Sequence, residues 1–225
     1  MLSHPNQGFF LSTLQRVPSV AVEEGRTLFH EASSHPEYAL LSSLLARHIA
    51  FALPDEHEQE AVDWARKALA VLSKPNIKGR AYGDDTDYRL SVQQSMLVYT
   101  KLCVASTQPS HWVEAERCTQ RIMDVKEPSI ATSATTSDDT ISLDQGPRLQ
   151  MGLLRIRALN QLGRHAEAMH TASAVQATVG APVEMERQAG FLWGVSTLLL
   201  GKEHAKNLRH ADAVAVRKKE KKVFS

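Results

Sequence analysis

The chain has 225 residues, of which 43% are apolar, 23% charged and only 6% aromatic, a balance that suits helices packed through small and aliphatic side chains better than a β-sandwich. Lys and Arg number 26 against 25 Asp and Glu, so the formal charge of +1 excludes a general attraction to nucleic acid or anionic membrane. No stretch approaches the roughly 20 apolar residues of a membrane span, Met1 to Pro18 lacks the basic start of a secretory signal, and Cys103 and Cys118 alone cannot build a disulfide framework.

In chain order, residues 1–35 read as an N-terminal helical pair or cap broken at Pro18. His35-Pro36 opens a helix expected to run to about Ala52, and Pro54-Asp55 turns the chain into a second helix over His57–Leu72. On that helix Ala61, Ala65, Ala68 and Leu72 hold one face. Pro75 to Asp87 reads as a loop, and helices follow at Tyr88–Ser106 and His111–Val125, separated by Pro109-Ser110. Val92, Met96, Tyr99 and Cys103 form the apolar stripe of the first of these.

Residues 127–147 hold eight Ser or Thr, three Asp and almost no large apolar side chain. Such a segment buries too little surface to offset its ordering entropy, and it reads as a flexible loop between repeats. Two further pairs are expected over residues 148–216: Arg148–Leu162 with His165–Thr178, and Val183–Leu200 with Lys202–Val216. The tail of residues 217–225 concentrates Arg217, Lys218, Lys219, Lys221 and Lys222 around Glu220, which reads either as a solvated helix end or as an import or nucleic-acid contact. Strand-type alternation is nowhere sustained, so the expected class is all-α.

Short turns within pairs and longer breaks between them make antiparallel helical hairpins. The second helices open alike at Glu60-Ala61, Glu114-Ala115 and Glu167-Ala168, with Ala205 in the corresponding place of the fourth pair. A small residue is needed there because the two helices of a hairpin cross closely. The third pair reads Leu159-Asn-Gln-Leu-Gly-Arg-His-Ala-Glu-Ala168, which resembles the middle of a tetratricopeptide (TPR) motif. Over residues 36–126 and 148–216 the resemblance implies hairpins stacked as a short TPR-like right-handed solenoid. Ile156, Ala172 and Val175 depart from the strong form of that motif, and the alanine spacings of 54 (115−61) and 53 (168−115) exceed its period of about 34 residues. The run from Glu60-Ala-Val-Asp-Trp-Ala to Leu72, then Asp87-Tyr-Arg-Leu-Ser-Val92, also resembles meiotic TPR scaffolds of the sporulation and zipper type. That likeness implies a nuclear scaffold for recombination and chromosome synapsis.

Chemistry-bearing patterns are weak. Ten histidines and two cysteines show none of the spacings of a zinc site, and His165 and His170 point in different directions on a helix. Cys103, His111 and Cys118 fall on one hairpin but carry no signature of a nucleophilic centre, and Gly79-Arg-Ala-Tyr-Gly83 lacks the lysine of a phosphate loop. No metal, cofactor or catalysis is expected, and the partner is expected to be a protein, with nucleic acid touching only the tail. A helical solenoid offers a groove lined by first helices. Register assigns Arg157, Asn160, Gln161 and Arg187 to it, as donors to an acidic or carboxylate-bearing ligand. The expected setting is intracellular, nuclear or cytoplasmic.

Overall fold

A computed structural model describes residues 18–73, 86–123 and 145–223. Eight α-helices occupy them: α1 (Pro18–Ser33), α2 (Ala39–Ala52), α3 (Glu58–Leu72), α4 (Thr86–Ala105), α5 (Pro109–Met123), α6 (Gln145–Gln161), α7 (His165–Gln176) and α8 (Val183–Val223). Single 3-10 turns at Pro36–Tyr38 and Asp55–His57 lead into α2 and α3. No strand occurs among the described residues. The all-α class therefore holds. Residues 1–17, the Gly79–Gly83 stretch and residues 124–144, most of the Ser/Thr-rich segment, lie outside the described residues.

Local sequence explains three of the helix ends directly. Leu53 leaves α2 in an extended conformation (φ −71°, ψ 138°) before Pro54, because a residue preceding proline is pushed out of the helical region. Pro109 opens α5 at the position where its missing amide hydrogen costs nothing. Gly163 has φ 75°, and the Arg164 amide reaches back to the Leu159 carbonyl at 2.8 Å while that of Gly163 bonds Asn160 at 3.2 Å. This left-handed cap satisfies the last carbonyls of α6.

Each helix packs on the next along the chain, and α2, α4, α6 and α8 also touch in succession, α2 on α4, α4 on α6 and α6 on α8. Of these, α2, α4 and α6 are the first helices of their pairs and α3, α5 and α7 the second; α1 precedes the first pair, and α8 follows the last and takes the place of a further first helix. Two cores result, and α6 serves both: Met151, Leu154 and Ala158 join Ile49, Val62, Ala65 and Cys103 on one side, whereas Leu149, Leu153, Ile156 and Leu159 pack with Ala172, Val175 and Leu192 on the other. Ala61, Ala115 and Ala168 are buried, as a close helix crossing requires.

Two expectations are corrected. The Val183–Leu200 and Lys202–Val216 pair does not form; one helix of 41 residues runs from Val183 to Val223. Gly201 alone cannot end it. Gly within a helix costs only about 1 kcal/mol, no proline follows, and Gly201 takes no positive φ. Ala205 is accordingly exposed. The loop expected over 127–147 also ends early, since Gln145, Gly146 and Pro147 form the first turn of α6, where proline is tolerated.

Candidate partner-binding face

Alongside their apolar packing, the first helices and α8 are joined by polar contacts. Ser43 and Ser95 share a hydrogen bond of 3.0 Å between α2 and α4. Arg47 donates across the same interface to Gln94 Oε1 at 2.8 Å and to the Ser91 carbonyl at 3.3 Å. Gln161 of α6 donates to the Val104 carbonyl of α4 at 2.9 Å, and Asn160 donates to Ser196 Oγ of α8 at 2.9 Å. Asn160 Oδ1 also meets His165 Nδ1 at 3.1 Å. Two residues assigned to the groove by register, Asn160 and Gln161, thus have their amides occupied in joining neighbouring helices.

Arg157 is placed differently. At 100° per residue its side chain leaves α6 between the directions of Asn160 and Gln161, which reach α8 and α4. It therefore emerges where the first helices meet. It is exposed, and no hydrogen bond or ion pair engages it among the described residues. Arg187 is also exposed, but it lies opposite Ala189 and Ser196, the buried side of α8, and so turns away from α6 and α7. The structure does not bring Arg157 and Arg187 to one face. The basic tail falls partly on the end of α8, with its side chains outside the described residues.

Periodicity missed Arg47. It is 7% exposed, its hydrogen-bond partners among the described residues include no carboxylate, and burial lowers its pKa. Burial and the Arg47 charge likewise lower the pKa of His48. Leu44 and Phe51 stand one turn to either side of Arg47 on α2, and on α4 Leu90 stands one turn before Gln94 and Lys101 two turns after it on the same side. Phe51 and Leu90 are exposed large apolar residues. The first-helix face therefore combines apolar side chains with the cations Arg47, Lys101 and Arg157. The available signal was Arg47 itself, an arginine directly after the Ala39-Leu-Leu-Ser-Ser-Leu-Leu-Ala46 run of apolar and small residues.

Clusters of ionisable groups elsewhere lock the hairpins together. Glu58 accepts from the Ser106 hydroxyl and from the Thr107 amide at 3.1 Å and hydroxyl at 3.2 Å. Ser106 Oγ also meets His111 Nδ1 at 2.6 Å. In a nucleophilic triad the imidazole stands between acid and hydroxyl, using both ring nitrogens. Here carboxylate and imidazole both sit on the hydroxyl, and His111 is buried, so the cluster fastens the α4–α5 turn to the start of α3. The Ser106 and Thr107 donors hold the Glu58 carboxyl below its ordinary pKa.

A second network joins Tyr99 and Arg66 to Glu114, Arg66 at 3.1 Å. The Tyr99 hydroxyl and Arg66 lower the Glu114 pKa. Arg26 pairs with Glu60 in the same fashion, and Arg164, at 3.2 Å, and Arg155, at 3.9 Å, face buried Glu116. The repeated Glu of the Glu-Ala phrase thereby receives an arginine from the preceding second helix, or from α1, at Glu114 and Glu60. Cys103 is fully buried and burial pushes its thiol pKa up to about 12, the reverse of what a nucleophile needs.

Among the described residues no group of three or more His, Cys, Asp and Glu is placed to hold a metal ion, and no helix is long and apolar enough to cross a membrane. Comparison of the chain with protein-family models, curated proteins and solved structures found no match in any of the three.

Proposed function

We propose that the chain is a non-catalytic interaction scaffold, a short TPR-like right-handed solenoid that binds an acidic peptide or partner helix along its first-helix face. One observation carries this reading: α2, α4, α6 and α8 touch in succession and share a side on which Leu44, Phe51 and Leu90 alternate with Arg47, Lys101 and Arg157. Apolar side chains supply contact area there, and the exposed Lys101 and Arg157, which have no carboxylate partner among the described residues, supply charge-assisted hydrogen bonds, with Arg47 buried beneath them between α2 and α4. The ionisable clusters outside this face are consumed in packing hairpins together, which supports binding rather than catalysis. The phrasing of residues 36–125 adds a narrower proposal, a scaffold beside meiotic chromosomes.

Affinity co-purification of the full chain from its native cells tests this. Protein partners retained at moderate salt, and lost from a Lys101→Glu, Arg157→Glu variant, are the expected outcome. Recombination proteins among them would support the meiotic proposal. Partners released by nuclease or by deletion of residues 217–225 would instead favour nucleic-acid binding through the tail, with the steep salt dependence of phosphate contacts.

A further inference from the structure

The outer side of α8 is an apolar stripe with no cover among the described residues. Phe191, Gly194, Leu198, Gly201, Ala205 and Leu208 recur at alternating intervals of three and four, the spacing of a helix–helix seam. Phe191 is 72%, Leu198 69% and Leu208 67% exposed. The opposite side of the helix, Ala189, Leu192 and Ser196, is the one packed into the body. From Gly201 to Ala211 every residue is exposed, so residues 201–211 project with no neighbour among the described residues. Most helical stability in proteins comes from packing an amphipathic face, and an apolar stripe of this extent marks an interaction site.

We propose that the occupant of this stripe is a second copy of the chain, with the two α8 helices antiparallel. The sequence of the stripe is complementary to itself in that direction. When Leu198 of one copy lies on Gly194 of the other, Phe191 lies on Gly201 of the other, and the Arg187 stem lies on Ala205. Phe191, Leu198 and the Arg187 stem then each meet a glycine or alanine, which lets the helices approach closely over this part of the seam, while Leu208 lies on Glu184 of the second copy. The Glu184 carboxylate, in the acidic first turn, comes beside Arg209 of the second copy. A parallel pair would set Phe191 on Phe191, leave gaps between facing glycines, and align Arg209 with itself. The antiparallel arrangement also opposes the helix dipoles. It closes by a two-fold axis, each residue contacting its partner reciprocally, and leaves both bodies on the outside.

This surface is distinct from the first-helix face and is tested separately, by sedimentation equilibrium of the full chain over a range of concentrations. The expected species is a dimer of the 24.9 kDa chain. Gly201→Leu is the decisive variant: a side chain added at Gly201 meets nothing within 4 Å in one copy and favours helix, so the protein should stay folded while the dimer weakens by at least about tenfold. Glu184→Arg and Arg209→Glu should each weaken it, and the two together should restore it. A wild-type chain that stays monomeric, or a Gly201→Leu chain that dimerises like wild type, would overturn the proposal.

Discussion

Replacing Glu58 tests whether the polar cluster at the α4–α5 turn holds neighbouring hairpins together. Glu58→Ala removes one acceptor that serves the Ser106 hydroxyl and the Thr107 amide and hydroxyl. A hydrogen bond to a charged group contributes about 1.5–3 kcal/mol net. The three bonds share one carboxylate, so their contributions do not sum. The side chain is 26% exposed, so water replaces part of what is lost. The expected cost is therefore about 2–3 kcal/mol, less than three charged bonds in isolation. Glu58→Gln should cost less, since it keeps an acceptor oxygen.

The pH dependence has a defined sign. The folded-state pKa of Glu58 is lowered by Ser106 first and then by the Thr107 amide. Its contribution is thus fully present above the unfolded carboxylate value of about 4.3, and it is lost as pH falls through the lower folded value. Urea unfolding of wild type and Glu58→Gln should give a difference that is constant from neutral pH to about pH 5 and shrinks below about pH 4.3. A Glu58→Ala cost under about 0.5 kcal/mol, or a Gln difference unchanged in acid, would refute the reasoning.

Other substitutions separate backbone, core and surface. Gly163→Ala should destabilise by about 1–2 kcal/mol in denaturant unfolding, because its φ of 75° is left-handed. Ile156→Ala, at a fully buried position in the second core, should cost about 2–5 kcal/mol in denaturant unfolding. Its neighbour Arg157→Ala should stay within about 0.5 kcal/mol, and equal costs at the two positions would contradict the orientation of α6.

Helix positions were legible because strong local signals end them. Pro54, Pro109 and Gly163 each act within a few residues, through proline's missing amide hydrogen and clash or through glycine's positive φ. The fourth turn was misplaced because Gly201 supplies only permission to bend. Nothing nearby compels the bend, and the Leu198-Leu199-Leu200 run carries the helix through. The proposed binding face was legible only in part. Register places Arg157 between Asn160 and Gln161 on α6, but Asn160 and Gln161 find their partners 36 and 57 residues away, and periodicity contains no record of such pairings. Arg187 was assigned by counting from a fourth hairpin, so it inherited the error in that hairpin. Arg47 was passed over because its stretch of α2 is apolar on nearly every side, and only the neighbouring α4 gives its charge a place.

The most direct test of the proposed binding face is a fluorescence-anisotropy titration of acidic peptides, selected from a library against the full chain, with two pairs of charge reversals. Lys101→Glu with Arg157→Glu should weaken binding by about 10- to 100-fold, as expected for charge-assisted contacts worth a few kcal/mol, while Arg187→Glu with Arg209→Glu leaves it unchanged. Equal losses from both pairs, or none from the first, would contradict the assignment of partner binding to the first-helix face.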